Sequence, residues 1–295
     1  MLYRERSYIS LSPKGFHNIV YSDYGSENKQ IIICVHGLTG NGLDFGYLAP
    51  ELVKEGYRVI AIDMPGRGRS DFLNDPTGYC YRYYLNDLNN LMSHLGINKE
   101  KSIDWIGTSM GGLLGFRLAG IGNSPIRRII CNDIGPFVPQ EALDFIEEYV
   151  SRDYEFTDIN ELKDFMKEMR GLSYGPVTEE QWLYMAKSNS RKLKNGKISY
   201  GYDPKIAYMF GKEPVGDTTD LWEYWANMDC PALVIRGGKS FVFTEDVAIK
   251  MQTLGPGANN VMDLVTLNDC GHVPSLMADN QIKLITDWLK KTKIT

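Results

Sequence analysis

Between residues 30 and 136 the chain alternates short apolar runs with longer segments in which apolar residues recur every three or four positions. Unbroken β-branched runs are typical of strands buried on both faces, and the longer spacing is typical of helices. The predicted strands cover 31–35, 57–62, 103–106 and 127–131. Helices are predicted after the first three of them, at 43–55, 83–95 and 109–121. Successive strand–helix units favour a mostly parallel, doubly wound sheet, so the predicted fold class is α/β.

A different pattern precedes this repeat. Two alternating segments, 8–11 and 16–24, are separated by Ser12-Pro13-Lys14-Gly15, a sequence typical of a turn. We expect them to form a hairpin that adds antiparallel strands to the edge of the sheet.

A third pattern interrupts the repeat after residue 136. From there to residue 227 helical spacing dominates, and the segment is rich in aromatic residues and methionine; the predicted helices cover 140–152, 160–170 and 179–194. The strand and helix patterns then resume, with segments at 232–235, 245–254, 261–267 and 281–289. We therefore predict a core formed by 1–136 and 228–295, with 137–227 inserted as a helical cap.

The junction between the strand at 103–106 and the helix that follows contains candidate chemistry. Gly107, Ser109 and Gly111 match G-x-S-x-G, in which a serine occupies a sharp strand-to-helix turn and flanking glycines let the backbone pass closely. The motif alone is weak evidence, because glycine and serine are common. Its position at the predicted junction is what favours a nucleophile at Ser109.

Composition narrows the functional classes. The chain has 295 residues, of which 43% are hydrophobic, and a formal net charge of −5 without a run of like charges, which argues against nucleic acid and anionic membranes as partners. The five cysteines form no C-x-x-C pair, and histidine and cysteine lack metal-ligand spacing, so we expect reduced thiols, no metal and no cofactor. The apolar runs are too short for a membrane span, and the first residues lack a signal-peptide pattern. We expect a cytoplasmic protein with a small-molecule partner; its oligomeric state is left open.

Further motifs lie at the predicted strand ends. They are His36-Gly37, Asp63-x-Pro65-Gly66-x-Gly68-x-Ser70, and Gly271-His272-x-Pro274. Together with the serine motif, they make the chain resemble the α/β-hydrolase superfamily, in its serine esterase, lipase and lactonase branch. The resemblance implies the α/β-hydrolase fold with a helical cap.

The resemblance also implies roles for particular residues. Ser109 would be the nucleophile and His272 the general base, and the backbone N–H groups of Leu38 and Met110 would form the oxyanion hole. The chemistry of the residues agrees, because serine needs a base to take its proton and the pKa of histidine suits that task near neutral pH.

The triad acid departs from the pattern of many relatives. Where an aspartate would follow Ser240, this chain has Phe241. Asp133, one strand earlier, preserves the order serine, acid, histidine, and is our candidate acid. It could equally be a turn residue ahead of Gly135-Pro136. Glu245 and Asp246 are weaker candidates.

Four residues are candidates for the substrate pocket: His36, Trp182, Met185 and Phe241. Three of them have a structural alternative, since His36 could hold the scaffold by hydrogen bonds and Trp182 and Met185 could fill the core of the cap.

Three functions fit these residues. The first is a serine hydrolase that cleaves a small, largely apolar ester or lactone through an acyl-enzyme. The second is a carbon–carbon bond hydrolase for a diketone-like substrate. The third is a catalytically impaired, ligand-binding member of the fold, which Phe241 alone favours.

Overall fold

Ten strands and ten α-helices are present in the computed structural model, which describes residues 3–12, 14–211 and 220–292. The strands are β1 (Arg4–Ser12), β2 (Gly15–Tyr24), β3 (Gln30–Val35), β4 (Tyr57–Ile62), β5 (Ile103–Thr108), β6 (Ile126–Asn132), β7 (Ser190–Lys192), β8 (Ile198–Tyr200), β9 (Ala232–Gly237) and β10 (Met262–Leu267). The helices are α1 (Leu48–Lys54), α2 (Tyr81–His94), α3 (Met110–Ala119), α4 (Gln140–Val150), α5 (Ile159–Tyr174), α6 (Glu179–Ser188), α7 (Tyr208–Gly211), α8 (Trp222–Asn227), α9 (Glu245–Met251) and α10 (Asp279–Lys291).

Eight of these strands form one sheet in the order β1-β2-β4-β3-β5-β6-β9-β10. The pairs β1–β2 and β2–β4 are antiparallel, and the other five are parallel. The predicted mostly parallel α/β sheet with an antiparallel hairpin at its edge is therefore confirmed. Pro13, in the predicted turn of that hairpin, lies outside the described residues.

Strand β3 shows why the apolar runs predict buried strands. Ile33 and Val35 pack into a core on one face of the sheet, while Ile32 and Cys34 pack into a second core on the other face. Successive side chains of a strand point to opposite faces, so a strand covered on both sides must be apolar at every position.

The helix predicted at 43–55 is interrupted. A short 3₁₀ turn, Gly42–Phe45, comes first, and α1 begins only at Leu48. At Gly46 a Cβ atom would lie 1.9 Å from the Tyr184 hydroxyl oxygen, which itself hydrogen-bonds the Leu43 carbonyl at 2.8 Å. A side chain from α6 thus occupies the position where a continuous helix would need space.

The segment between β6 and β9 contains α4 to α8 and a two-stranded sheet. The predicted helix at 179–194 is wrong at its C-terminal end, because α6 stops at Ser188 and 190–192 pairs with 198–200 as β7 and β8. The turn of this hairpin includes Gly196, whose φ of +85° favours glycine. Of this segment, residues 212–219 lie outside the described residues, and the division into core and cap stays a prediction.

Candidate active site

Ser109 lies between the end of β5 and the start of α3, with φ 48° and ψ −111°. This conformation is rare for a residue with a side chain. The flanking glycines make it possible: a Cβ on Gly107 would lie 2.4 Å from the Gly111 carbonyl, and a Cβ on Gly111 would lie 2.0 Å from the Val35 carbonyl oxygen. Strand, turn and helix therefore approach more closely than any residue larger than glycine would allow.

The serine hydroxyl contacts a histidine from a distant loop. His272, which follows β10, places Nε2 3.0 Å from Ser109 Oγ. Its Nδ1 lies 2.6 Å from Oδ2 of Asp133. An ionised carboxylate only accepts hydrogen bonds, so Nδ1 carries the proton and Nε2 is left to accept one from the serine.

Asp133 directly follows β6 and is fully buried. Its Oδ1 accepts a 2.6 Å hydrogen bond from the Gly237 N–H, and its Oδ2 accepts one of 2.6 Å from the Ser240 hydroxyl as well as the histidine bond. These donors fix the direction of the carboxylate. The structure thus brings Asp133 to the imidazole, while Phe241 places its ring against Phe145, at 5.3 Å between centroids.

Two backbone N–H groups adjoin the serine. Met110 is the first residue of α3, whose initial N–H groups have no acceptor within the helix. Leu38 belongs to the loop after β3. Gly37, the residue before it, lies close to the serine: a Cβ added to Gly37 would be 3.7 Å from the Ser109 Cβ. Neither N–H donates a hydrogen bond to the described part of the chain. Unpaired donors beside a nucleophile can stabilise a negative oxygen.

A cavity of about 240 Å³ opens over these groups. Ser109, His272 and the loop 37–40 form its floor, and side chains of α4 and α5 together with Phe241 form the opposite wall. Most of that wall is apolar, from residues such as Phe145, Ile146 and Val150. A serine hydroxyl in contact with an imidazole, two backbone N–H groups without an acceptor in the described residues, and a cavity with a mostly apolar wall fit the geometry that acyl transfer uses.

Comparison with known proteins agrees with this geometry. A family model for the alpha/beta hydrolase fold matches residues 30–278. The 3-hydroxybutyrate-oligomer hydrolase of Cupriavidus necator is 32% identical, over 93% of this chain and 93% of its own length. The chain belongs to the α/β-hydrolase family.

Solved structures of this family superpose closely on the chain. A protein from Rickettsia typhi gives a TM-score of 0.87 at 34% identity, covering 99% of this chain and 100% of that one. An alpha/beta hydrolase from Novosphingobium aromaticivorans gives a TM-score of 0.84 at 31% identity, with 99% of each chain covered.

The four predicted pocket residues of this α/β-hydrolase divide into two groups. Phe241 lines the main cavity, and Met185 lines a smaller one of about 40 Å³ that shares wall residues with it. His36 and Trp182 line neither, which corrects the prediction for both. Trp182 is buried and stacks on Tyr174, with 5.6 Å between ring centroids, so an intervening ring separates it from the cavity.

His36 has a scaffold role instead. Its ring is fully buried, with Nε2 accepting a 3.0 Å hydrogen bond from the Met64 N–H and Nδ1 lying 2.6 Å from the Gly37 carbonyl oxygen. Burial lowers the pKa of His36 to about 3, so the ring is neutral and joins the ends of β3 and β4.

Several polar residues of the cavity were not predicted from sequence, among them Thr39, Asp44 and Arg170. Asp44 follows the loop after β3, and burial raises the pKa of its carboxyl to about 6. One sequence signal points to Arg170. It lies at a spacing of four from Met166 and Tyr174, both buried, and therefore on the buried face of α5.

Over residues 3–12, 14–211 and 220–292, no group of three His, Cys, Asp or Glu side chains is placed to hold a metal ion. In the same described ranges, no helix combines the length and apolar character needed to cross a membrane.

Proposed function

We propose that this α/β-hydrolase is a serine hydrolase that cleaves a small, largely apolar ester or lactone through an acyl-enzyme. The observation that carries the proposal is the unbroken line of hydrogen bonds from Ser109 through His272 to Asp133, at 3.0 Å and 2.6 Å.

The first half-reaction acylates the serine. His272 Nε2 takes the hydroxyl proton as Ser109 Oγ attacks the carbonyl carbon, and the N–H groups of Leu38 and Met110 stabilise the oxyanion. When the tetrahedral intermediate collapses, the imidazolium gives its proton to the departing alcohol oxygen, and the acyl group remains on Oγ. Asp133 keeps the imidazole in the required tautomer and stabilises its charged form.

The second half-reaction releases the acid. Water enters the position vacated by the alcohol, His272 removes a proton from it, and the resulting attack on the acyl carbon forms a second tetrahedral intermediate. Its collapse returns the proton to Ser109 Oγ and frees the carboxylic acid. Apart from the ester, the two half-reactions use only residues of the chain and one water molecule.

The relative from Cupriavidus necator supports an ester as the substrate. It is named a hydrolase of 3-hydroxybutyrate oligomers, and the units of such oligomers are joined by ester bonds. We include linear oligoesters of short hydroxy acids among the proposed substrates. The complete hydrogen-bond line also favours an active enzyme over an impaired binding protein.

A para-nitrophenyl ester series of rising acyl length, from acetate upward, tests the proposal. We expect turnover by the wild type and a loss of about 10⁴-fold or more in Ser109→Ala, because triad members act as a unit. Ser173→Ala is the matched control, since Ser173 lines the same cavity and, among the described residues, its hydroxyl forms no hydrogen bond with His272. Turnover by Ser109→Ala within tenfold of wild type would refute the assignment.

A further inference from the structure

One cation in the wall of the cavity forms no direct ion pair with the described part of the chain. Arg170, on α5, lines the same cavity as Ser109 and His272. Its guanidinium donates hydrogen bonds to three hydroxyl groups: Tyr174 at 2.6 Å, Thr39 at 3.0 Å and Tyr149 at 3.1 Å. Among the residues that the structure describes, no carboxylate oxygen lies within 4.0 Å of it.

Neutral groups hold this guanidinium in place. Besides the hydroxyl groups, the ring faces of Tyr149, Tyr174 and Tyr200 lie 5.6, 5.8 and 5.9 Å from its central carbon. The three hydrogen bonds use three of the five N–H donors of an arginine. The ring and hydroxyl contacts therefore orient the group without neutralising its charge, and the Nε–H and one Nη1–H have no acceptor among the described residues.

Three other arginines of the chain have guanidinium groups with different partners or surroundings. Arg128 pairs with Asp104 at 2.6 Å, and Arg69 pairs with Asp63 at 2.9 Å. Arg67 has no carboxylate among the described residues, but it is fully buried away from the cavity and donates to the carbonyl oxygens of Leu38 and Pro65. Only in Arg170, among these four, does an unneutralised cation meet the cavity.

The position of Arg170 relates it to the reacting groups. Thr39, which accepts one of its hydrogen bonds, directly follows Leu38, the proposed oxyanion donor. Asp44 also lines the cavity and interacts electrostatically with Arg170, but the two form no ion pair within 4.0 Å; the oxygens of Asp44 accept from Asn189 Nδ2 at 2.9 Å and from the Asn41 N–H at 3.2 Å. A ligand anion can therefore form the direct contact with the guanidinium that Asp44 does not form.

We propose that Arg170 binds a carboxylate of the substrate, so that the preferred substrates are short esters that carry one free carboxylate. This inference rests on the proposed ester hydrolysis and specifies its substrate class. A guanidinium attracts a carboxylate by its charge and donates a charge-assisted hydrogen bond to it, which would orient the ester relative to Ser109. Apolar wall residues such as Phe145 and Val150 would hold the short carbon chain. Linear oligoesters of hydroxy acids have this form, because each ends in one carboxylate, whereas lactones lack it.

Two matched pairs of esters test the proposal near neutral pH. Para-nitrophenyl hemisuccinate against para-nitrophenyl butyrate places the carboxylate on the acyl side, and O-butyryl lactate against its ethyl ester places it on the alcohol side. In the wild type we expect kcat/KM for the carboxylated member of at least one pair to exceed that of its neutral partner by about 10- to 100-fold, mainly through KM.

Two variants test whether the charge of Arg170 causes this preference. Arg170→Gln should reduce that preference to near unity, because kcat/KM for the carboxylated ester should fall much more than kcat/KM for the neutral ester. Lys167→Gln is the control, because it removes the same charge from an exposed position on α5, where Lys167 pairs with Glu179. It should leave the preference unchanged.

Three outcomes would overturn the proposal. They are no preference for either carboxylated ester in the wild type, a preference that survives Arg170→Gln, or an equal loss on charged and neutral esters in that variant. If Arg170→Gln fails to fold, Arg170→Lys decides, because it keeps the charge but lacks the planar fork and should retain only part of the preference. Failure of the proposed function is a separate result, namely undiminished neutral-ester turnover by Ser109→Ala.

Discussion

The loops that follow the parallel strands, here called the sheet end, line the cavity together with residues of the inserted segment 137–227. These two regions are built in different ways. At the sheet end, backbone turns set the positions of the reacting groups: Ser109 and Asp133 have φ values of 48° and 53° directly after β5 and β6. In the inserted segment, Arg170 is held by the side chains of Tyr149 and Tyr174. We therefore expect the proposed reaction chemistry to be sensitive to backbone geometry at these turns, and ligand choice to be sensitive to side-chain packing in the inserted segment.

Replacing the proposed acid is the strongest way to challenge the first half of this comparison. Asp133→Asn should lower kcat by about 10²- to 10⁴-fold, because an amide favours the wrong imidazole tautomer and cannot neutralise the imidazolium. Phe241→Asp should add little activity, since the acid position is already filled by Asp133. Both variants are measured on one activated ester, with circular dichroism as the check on folding. A nearly silent Asp133→Asn together with a strongly activated Phe241→Asp would identify a disabled triad.

A glycine substitution tests whether backbone closeness at the sheet end is required. In Gly111→Ala the new Cβ would lie 2.0 Å from the Val35 carbonyl oxygen, so β3 or α3 must shift. We expect the free energy of unfolding to fall by about 2 to 3 kcal/mol, measured by urea denaturation. Gly122→Ala is the control, because a Cβ there meets no atom within 4 Å. Equal midpoints for the two variants would contradict the close packing.

The burial of His36, at the sheet end, predicts that the free energy of unfolding depends on pH. Burial lowers its folded pKa to about 3 from 6.5, so between these values the unfolded chain binds a proton that the folded chain does not. The contribution of neutral His36 to the free energy of unfolding is present above pH 6.5 and is lost as pH falls towards 3. From about pH 7 to about pH 5 the loss should be about 2 kcal/mol. His36→Asn should lack this component, and identical pH slopes for the two proteins would rule it out.

The inserted segment is tested by enlarging its wall. Phe145→Ala and Met185→Ala should each shift the preferred acyl chain to a longer one, by about tenfold in the ratio of kcat/KM values, and should leave acetate hydrolysis nearly unchanged. Leu172→Ala, an exposed position in the same segment, is the control. Unaltered ester profiles in both cavity variants would assign this segment a structural role only.

The sequence allowed most of the sheet end to be predicted because its signals are short. The strand pattern, the glycines around Ser109 and the loop with His272 are each contained within a few residues. Asp133 was one of several candidates, because the hydrogen bonds that select it come from Gly237 and Ser240, 104 and 107 residues away.

The inserted segment was harder to predict because its structure depends on distant contacts. The helix expected at 179–194 ends early because 190–192 pairs with 198–200. Trp182 was expected in the pocket, yet it stacks on Tyr174, and it is Tyr174 that lines the cavity. Arg170 had a sequence signal in its spacing along α5, but its contact with Thr39 spans 131 residues, so its place in the cavity could not be derived.

Covalent labelling tests the central claim most directly. A fluorophosphonate reacts with a serine only where a base activates the hydroxyl and an oxyanion hole receives the phosphoryl oxygen. The intact mass of the wild type should increase by one adduct, which peptide mapping places on Ser109, and Ser109→Ala should remain unmodified. Absence of an adduct on the folded wild type, or an equal adduct on Ser109→Ala, would contradict the assignment of Ser109 as an activated nucleophile.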